Sequence, residues 1–189
     1  MSRLSRPKKT ALAMTIIVGS MFILLFGGGA LMDPKVALQL DRRLSSPPDA
    51  LFRFLDTTAG LEQWWSAGQA DVPAGAARMR VKKKSGPEQG QGLAVVFVDH
   101  EDAVFETWLV VSSQPPSKIV YDVDFAGAMT VRRTLTFTPD SGGTRVTWQE
   151  QGRIDRPALR WMKVLMSQED LAANFDHALA ALDRIAGVR

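Results

Sequence analysis

The stretch Lys118–Ile154, KIVYDVDFAGAMTVRRTLTFTPDSGGTRVTWQEQGRI, holds three runs of alternating apolar and polar residues joined by the short turns AG and PDSGG. Such runs predict three antiparallel strands linked as successive hairpins. The turns also set a register. With Thr138 opposite Arg145, Phe137 meets Val146, Leu135 meets Trp148 and Arg133 meets Glu150. With Phe125 opposite Met129, Val123 falls beside Val131 and Tyr121 beside Arg133. The apolar members mark this as the inner face, so three polar side chains, Tyr121, Arg133 and Glu150, converge on one wall. A slip of a single residue would turn all three outward.

Upstream, ARMRVKKK (77–84), GLAVVFVD (92–99) and VFETWLVVS (104–112) read as further strands, and Val36, Leu38, Leu40 and Leu44 alternate as an earlier one. Between them SSPPDALFRFLDTTAG (45–60) changes to a helical period, with Leu51, Phe52 and Leu55 on one side. Ser46, Pro47, Pro48 and Asp49 form its start signal and Gly60 its expected end. LEQWWSAG (61–68) is a second short helix. Downstream, DRPALRWMKVLM (155–166) precedes SQEDLAANFDHALAALDRIAG (167–187), whose Leu171, Phe175, Ala178, Leu182 and Ile185 form an apolar stripe that must lie on the sheet. The expected architecture is α+β: strand, two short helices, six antiparallel strands and a long closing helix.

The 189 residues carry 23 Lys+Arg against 20 Asp+Glu. Four of the cations, Arg3, Arg6, Lys8 and Lys9, precede the first carboxylate at Asp33, which leaves 19 basic against 20 acidic residues from there on. The sequence pI of 9.4 therefore reflects the tail, and the electrostatic case for a nucleic-acid binder disappears. The absence of cysteine excludes disulfides, thiol nucleophiles and Cys-ligated metals. Residues 11–32, ALAMTIIVGSMFILLFGGGALM, contain no charge and would reach about 33 Å as a helix, enough to cross a bilayer core. They read as a transmembrane signal anchor, with a cleaved signal peptide ending at Gly28-Gly29-Ala30 as the competing reading. The basic residues 1–10 place the tail in the cytoplasm. The domain, residues 35–189, then faces the periplasm or exterior from the inner (cytoplasmic) membrane, and should sit against the lipid surface.

The element order, together with SPPDALFRFLDTTAGLEQWW, SQPPSKIVYDV, TLTFTPDSGGTRVTWQEQG and the terminal LDRIAG helix, resembles the SRPBCC superfamily, the START-like helix-grip fold. It looks most like the polyketide cyclase/dehydrase-type branch, which includes bacterial members with an N-terminal membrane segment. The resemblance covers residues 35–187. It implies a curved, seven-stranded antiparallel sheet wrapped around the long C-terminal helix, with a ligand cavity between them and the second short helix at its mouth. It leaves the chemistry open, because this fold serves carriers, cyclases and chaperone cofactors alike.

Ligand-lining candidates are therefore Trp64, Trp65, Tyr121, Val123, Val131, Arg133, Leu135, Trp148, Glu150 and Phe175. Each has a plainer reading. Arg133 and Glu150 read equally as a cross-strand ion pair that neutralises itself, and Trp64 and Trp65 as core filling. Trp161, Met162, Leu165 and Met166 read either as core or as an apolar lip touching lipid. His100 sits in the acidic turn Asp99–Asp102, where consecutive side chains converge poorly on a metal, and His177 falls on the polar side of the last helix. The VKKK run at 81–84 reads as a solvated strand end. Gly86, Gly90 and Gly92 lack the helix and Lys-Ser/Thr partner of a phosphate loop. No catalytic residue, metal or cofactor is assigned. The leading expectation is a membrane-anchored domain binding a hydrophobic or amphipathic small molecule such as a lipid, isoprenoid or polyketide. The alternatives are a cyclase or dehydratase using Glu150 with Arg133 or Tyr121, and an envelope interaction module.

Overall fold

The computed structural model describes residues 23–68, 80–83, 94–98, 104–161, 163 and 168–187. Its strands are β1 (Lys35–Leu44), β2 (Arg80–Lys83), β3 (Ala94–Val98), β4 (Val104–Gln114), β5 (Lys118–Asp124), β6 (Met129–Asp140) and β7 (Gly143–Ile154). They form one antiparallel, seven-stranded sheet in the order β1-β7-β6-β5-β4-β3-β2. Side-chain burial is described for five of them, β1 and β4 to β7. The hairpin register is the one the turns imply: Thr138 pairs with Arg145, Arg133 with Glu150, Tyr121 with Arg133 and Val123 with Val131. The alternation Val131, Arg133, Leu135, Phe137 is buried while Thr130, Arg132 and Thr138 are exposed, as a strand with one covered face requires.

The helices are α1 (Pro48–Phe52), α2 (Thr58–Gly68) and α3 (Gln168–Gly187), with a 3-10 turn at Pro157–Trp161. Pro48 occupies the first turn of α1, where its missing N–H costs nothing. Ser46 does not cap that helix. Its N–H and hydroxyl bond the Asp183 carboxylate and carbonyl instead, tying the β1–α1 turn to the end of α3. Gly60 is likewise not a terminator. It lies inside α2, receives a cap from the Thr57 hydroxyl, and a Cβ there would stand 2.6 Å from the Phe54 backbone. Only glycine lets α2 come this close to the preceding turn.

The buried stripe of α3 is wider than its sequence period implies. Leu179, Ala181, Leu182 and Ala186 are buried, whereas Leu171, Phe175, Ala178 and Ile185 are half-buried. The stripe widens because α3 touches more than the sheet. On one flank α2 approaches closely enough for Gly68 to sit against Ala181, and Trp64 Nε1 donates to the Ala178 carbonyl. On the other, Ser45 and Ser46 bind Asp183. Burial pushes the Asp183 carboxyl up, but the hydrogen bonds from these serines outweigh it and hold the pKa below the usual range.

Of the expected span 11–32, residues 11–22 lie outside the described residues, as does the basic tail. Ile23–Gly28 forms a π-helical turn continued by an α-helical turn, Gly29–Leu31. Among the described residues no helix is long and apolar enough to cross a membrane. The acidic turn with His100, the loop with Gly86, Gly90 and Gly92, Lys84, and Met162, Leu165 and Met166 are also outside the described residues.

Candidate functional site

Where β4, β5, β6 and β7 lie side by side, the inner face carries charge. The Arg133 side chain is 5% exposed, and its Nε donates to Glu150 Oε1 at 2.5 Å. A second carboxylate, Glu106 on β4, stands on the same guanidinium, with Oε2 3.9 Å from Nη1. Two indoles complete the cluster. Trp108 Nε1 donates to Glu106 at 2.5 Å and Trp148 Nε1 to Glu150 at 3.2 Å. Their rings flank the guanidinium, with centroids 4.2 Å (Trp108) and 5.0 Å (Trp148) from its central carbon. A buried cation thus has two carboxylates and two π-faces beside it, which lowers the cost of removing it from water.

One cation facing two buried carboxylates leaves a charge imbalance. Desolvation raises the Glu106 pKa above the ordinary glutamate range, and Glu150 adds to it; Arg133 and the Trp108 bond only partly oppose this. The folded state therefore binds the Glu106 proton more tightly than the unfolded chain does. Stability falls as pH rises from the ordinary glutamate range through the raised value. Glu106→Gln keeps the shape and an acceptor for Trp108, and removes that loss. Urea melts should find the variant more stable than the parent at pH 8, with the difference closing near pH 4; a parent that is the more stable at pH 8 would contradict the arrangement.

Tyr121 is fully buried and ring-packed on Trp108 at 5.1 Å, but its hydroxyl donates to the Leu55 carbonyl at 2.5 Å rather than to a carboxylate. Burial pushes its pKa well up. Val123, Val131 and Leu135 line the same wall and are buried. Trp64 is buried between Trp108 and Trp148 at ring distances of 6.2 and 6.1 Å, and half-buried Trp65 packs on Trp108. Phe175 of α3 closes over Trp148 at 4.6 Å. The expected lining residues therefore meet, together with Glu106 and Trp108, in direct ring and side-chain contact.

Two clefts lie away from this wall. One of about 400 Å³ runs beside Arg42–Ser45 and the end of α3, and one of about 290 Å³ lies beside Arg53, Phe54 and Gln63. The cations of the larger cleft are engaged: Arg42 with Asp176, Arg43 with Asp140 and Arg184 with the Ala67 carbonyl. Among the described residues no cluster of His, Asp or Glu is arranged to hold a metal. His177 is exposed, with Nε2 2.9 Å from the Gly68 carbonyl.

The fold recurs in solved proteins. A Chromobacterium violaceum protein aligns with a TM-score of 0.57 at 18% identity, over 81% of this chain and 99% of its own. An uncharacterized Rhizobium leguminosarum protein aligns at 0.55 and 16%, over 82% and 96%. The di-domain ARO/CYC StfQ of the steffimycin biosynthetic pathway aligns at 0.54 and 16%, over 81% of this chain and 51% of that one. At these identities the likeness concerns fold. No curated protein sequence matches the chain. The family model for polyketide cyclase / dehydrase and lipid transport matches residues 35–187, the whole span from β1 to the end of α3, and the chain belongs to that family.

Proposed function

We propose that the domain binds a hydrophobic or amphipathic small molecule between the sheet and the N-terminal half of α3, and that residues 11–32 tether it to a membrane with the domain on the outer side. The observation that carries the binding reading is the uneven closure of α3. Its C-terminal half buries Leu179, Ala181, Leu182 and Ala186, while its N-terminal half leaves Leu171, Ala172 and Phe175 half-exposed above an aromatic wall with a charged centre. Rotation of Phe175 off Trp148 opens an apolar slot without breaking a hydrogen bond. An amphipathic guest lays its chain along Trp148, Val131 and Val123 and its polar end toward Arg133. Turnover is harder to support, because Glu150 is held by both Arg133 and Trp148 and must release them before acting as a base.

The tether reading is supported by the way the chain enters the domain. Gly29 is buried, and a Cβ there would lie 2.0 Å from the Pro157 carbonyl oxygen. Arg160 donates to the carbonyls of Gly29, Ala30 and Met32 at 3.2–3.3 Å, and Lys163 to those of Asp33 and Lys35. The small residues that would serve as a cleavage site are thereby used as packing surface, which favours an uncleaved segment.

Native mass spectrometry of the full chain, extracted from bacterial membranes in mild detergent, tests the binding reading. The expected result is a non-protein apolar molecule that co-purifies, together with several-fold stronger binding of the probe anilinonaphthalene sulfonate by Phe175→Ala. An empty mass combined with unchanged probe binding would overturn it.

A further inference from the structure

The exposed large apolar side chains gather at one end of the domain. Phe26, Leu31, Val104 and Phe105 are four of the five among the described residues, the fifth being Val111 within β4. A series of contacts links Phe105 to the Gly29–Met32 segment. Phe105 packs edge-on against Phe125 at the β5–β6 turn. The N–H groups of Asp155 and Arg156 donate to the Ala128 carbonyl in that turn, and the Arg156 guanidinium to Ala126. Pro157 follows directly and receives Gly29, and Arg160 grips the carbonyls around Leu31. The first residues of β1, β4 and β6 and the last of β5 and β7 all meet here.

Charge at this end is of both signs: among the described residues Lys35, Arg153, Arg156, Arg160 and Lys163 stand here with Asp33, Asp124 and Asp155, and the acidic run Asp99–Asp102 leads directly into Val104 in the sequence. The apolar run 11–32 enters at the same place, its last turn clamped without a flexible linker. The opposite end, at the β6–β7 turn Asp140–Gly143, carries none of the exposed large apolar residues described. Apolar tips continuous with an apolar segment, with charged side chains of both signs behind them, match the layering of a lipid surface, acyl chains below and polar head groups above.

We propose that this end of the domain is a bilayer-docking face, with Phe105, Val104 and the Ala126 turn resting on the lipid and Arg153, Arg156 and Lys163 at head-group level. The face rests on the tether reading above. It deepens that reading, because the loosely closed N-terminal half of α3 begins at the same end.

The chain has no cysteine, so a single introduced thiol labels cleanly. Ala126→Cys and Ser141→Cys sit on exposed turns at opposite ends of the twelve-residue β6, about 40 Å apart. Each full-length variant is reconstituted in phosphatidylcholine–phosphatidylglycerol vesicles, coupled to an environment-sensitive fluorophore and challenged with spin-labelled lipid. Quenching at position 126 should exceed that at 141 several-fold. Flotation of the same samples separates the two ideas. A chain that floats but is quenched equally at both positions overturns the docking face and leaves the tether standing; a chain that does not float overturns both.

Discussion

Arg133→Leu should destabilise the domain by about 3–5 kcal/mol, the usual cost of removing one partner of a buried ion pair. The leucine fills most of the space but leaves Glu106 and Glu150, both buried, with indole N–H groups as their remaining partners and no cation between them. Denaturant melts at neutral pH measure the loss. Adding Glu106→Gln and Glu150→Gln to the same chain should recover more than half of it, because the penalty lies in the orphaned charges rather than in lost volume. A single variant that costs under about 1 kcal/mol would mean the cluster is hydrated like a surface pair, the class to which values that small belong.

Trp148→Ala should cost a comparable amount, about 3–5 kcal/mol, the range for deleting a large buried aromatic side chain. The indole touches Trp64 and Phe175, flanks Arg133 and donates to Glu150, so its loss removes packing and a hydrogen bond together. The cavity left behind has an apolar lid, Phe175, on its open side. The variant should therefore also bind anilinonaphthalene sulfonate better than the parent while still giving a cooperative melt. A variant as stable as the parent would show that Phe175 and Trp64 collapse into the gap, and would remove the support for a slot at this level.

The two variants probe opposite properties of one site. Arg133 tests whether the interior is charged and dry, and Trp148 whether the space beneath α3 can be opened. A domain that only filled its core would respond to both by losing stability and would gain no affinity for an apolar probe. The proposed binding role predicts the gain.

The middle of the sheet was legible from residues alone because its connections are short. The PDSGG turn leaves little choice of register, and a strand with one buried face locks the remainder, so alternation and turns alone put Tyr121, Arg133, Leu135, Trp148 and Glu150 on one wall. Glu106 was not legible, for a specific reason. Gln114 pairs with Lys118 and Ser112 with Val120, but Val110 then pairs with Tyr121, so one extra residue, Val111, is bulged out. Carried across without the bulge, that turn's register would put Thr107 and Leu109 inside and Glu106 in solvent. A one-residue bulge reverses which face each later side chain occupies, and nothing local in VFETWLVVS marks it.

The helices show the same division. Apolar periodicity identifies α3, but the width of its buried face depends on α2 and the β1–α1 turn, which approach it at Ala181 and Asp183 from either flank. Ser46 and Gly60 read locally as a start and a stop, and the fold uses them as a tie to Asp183 and a contact for Phe54. Local sequence determined element type, strand pairing and the polar wall, since these depend on alternation and turns within a few residues. Tertiary structure alone decided that Glu106 joins Arg133, that Tyr121 spends its hydroxyl on Leu55, and that Phe175 closes on Trp148. Each of those depends on groups brought together from distant parts of the chain, where packing and desolvation rather than spacing select the partner.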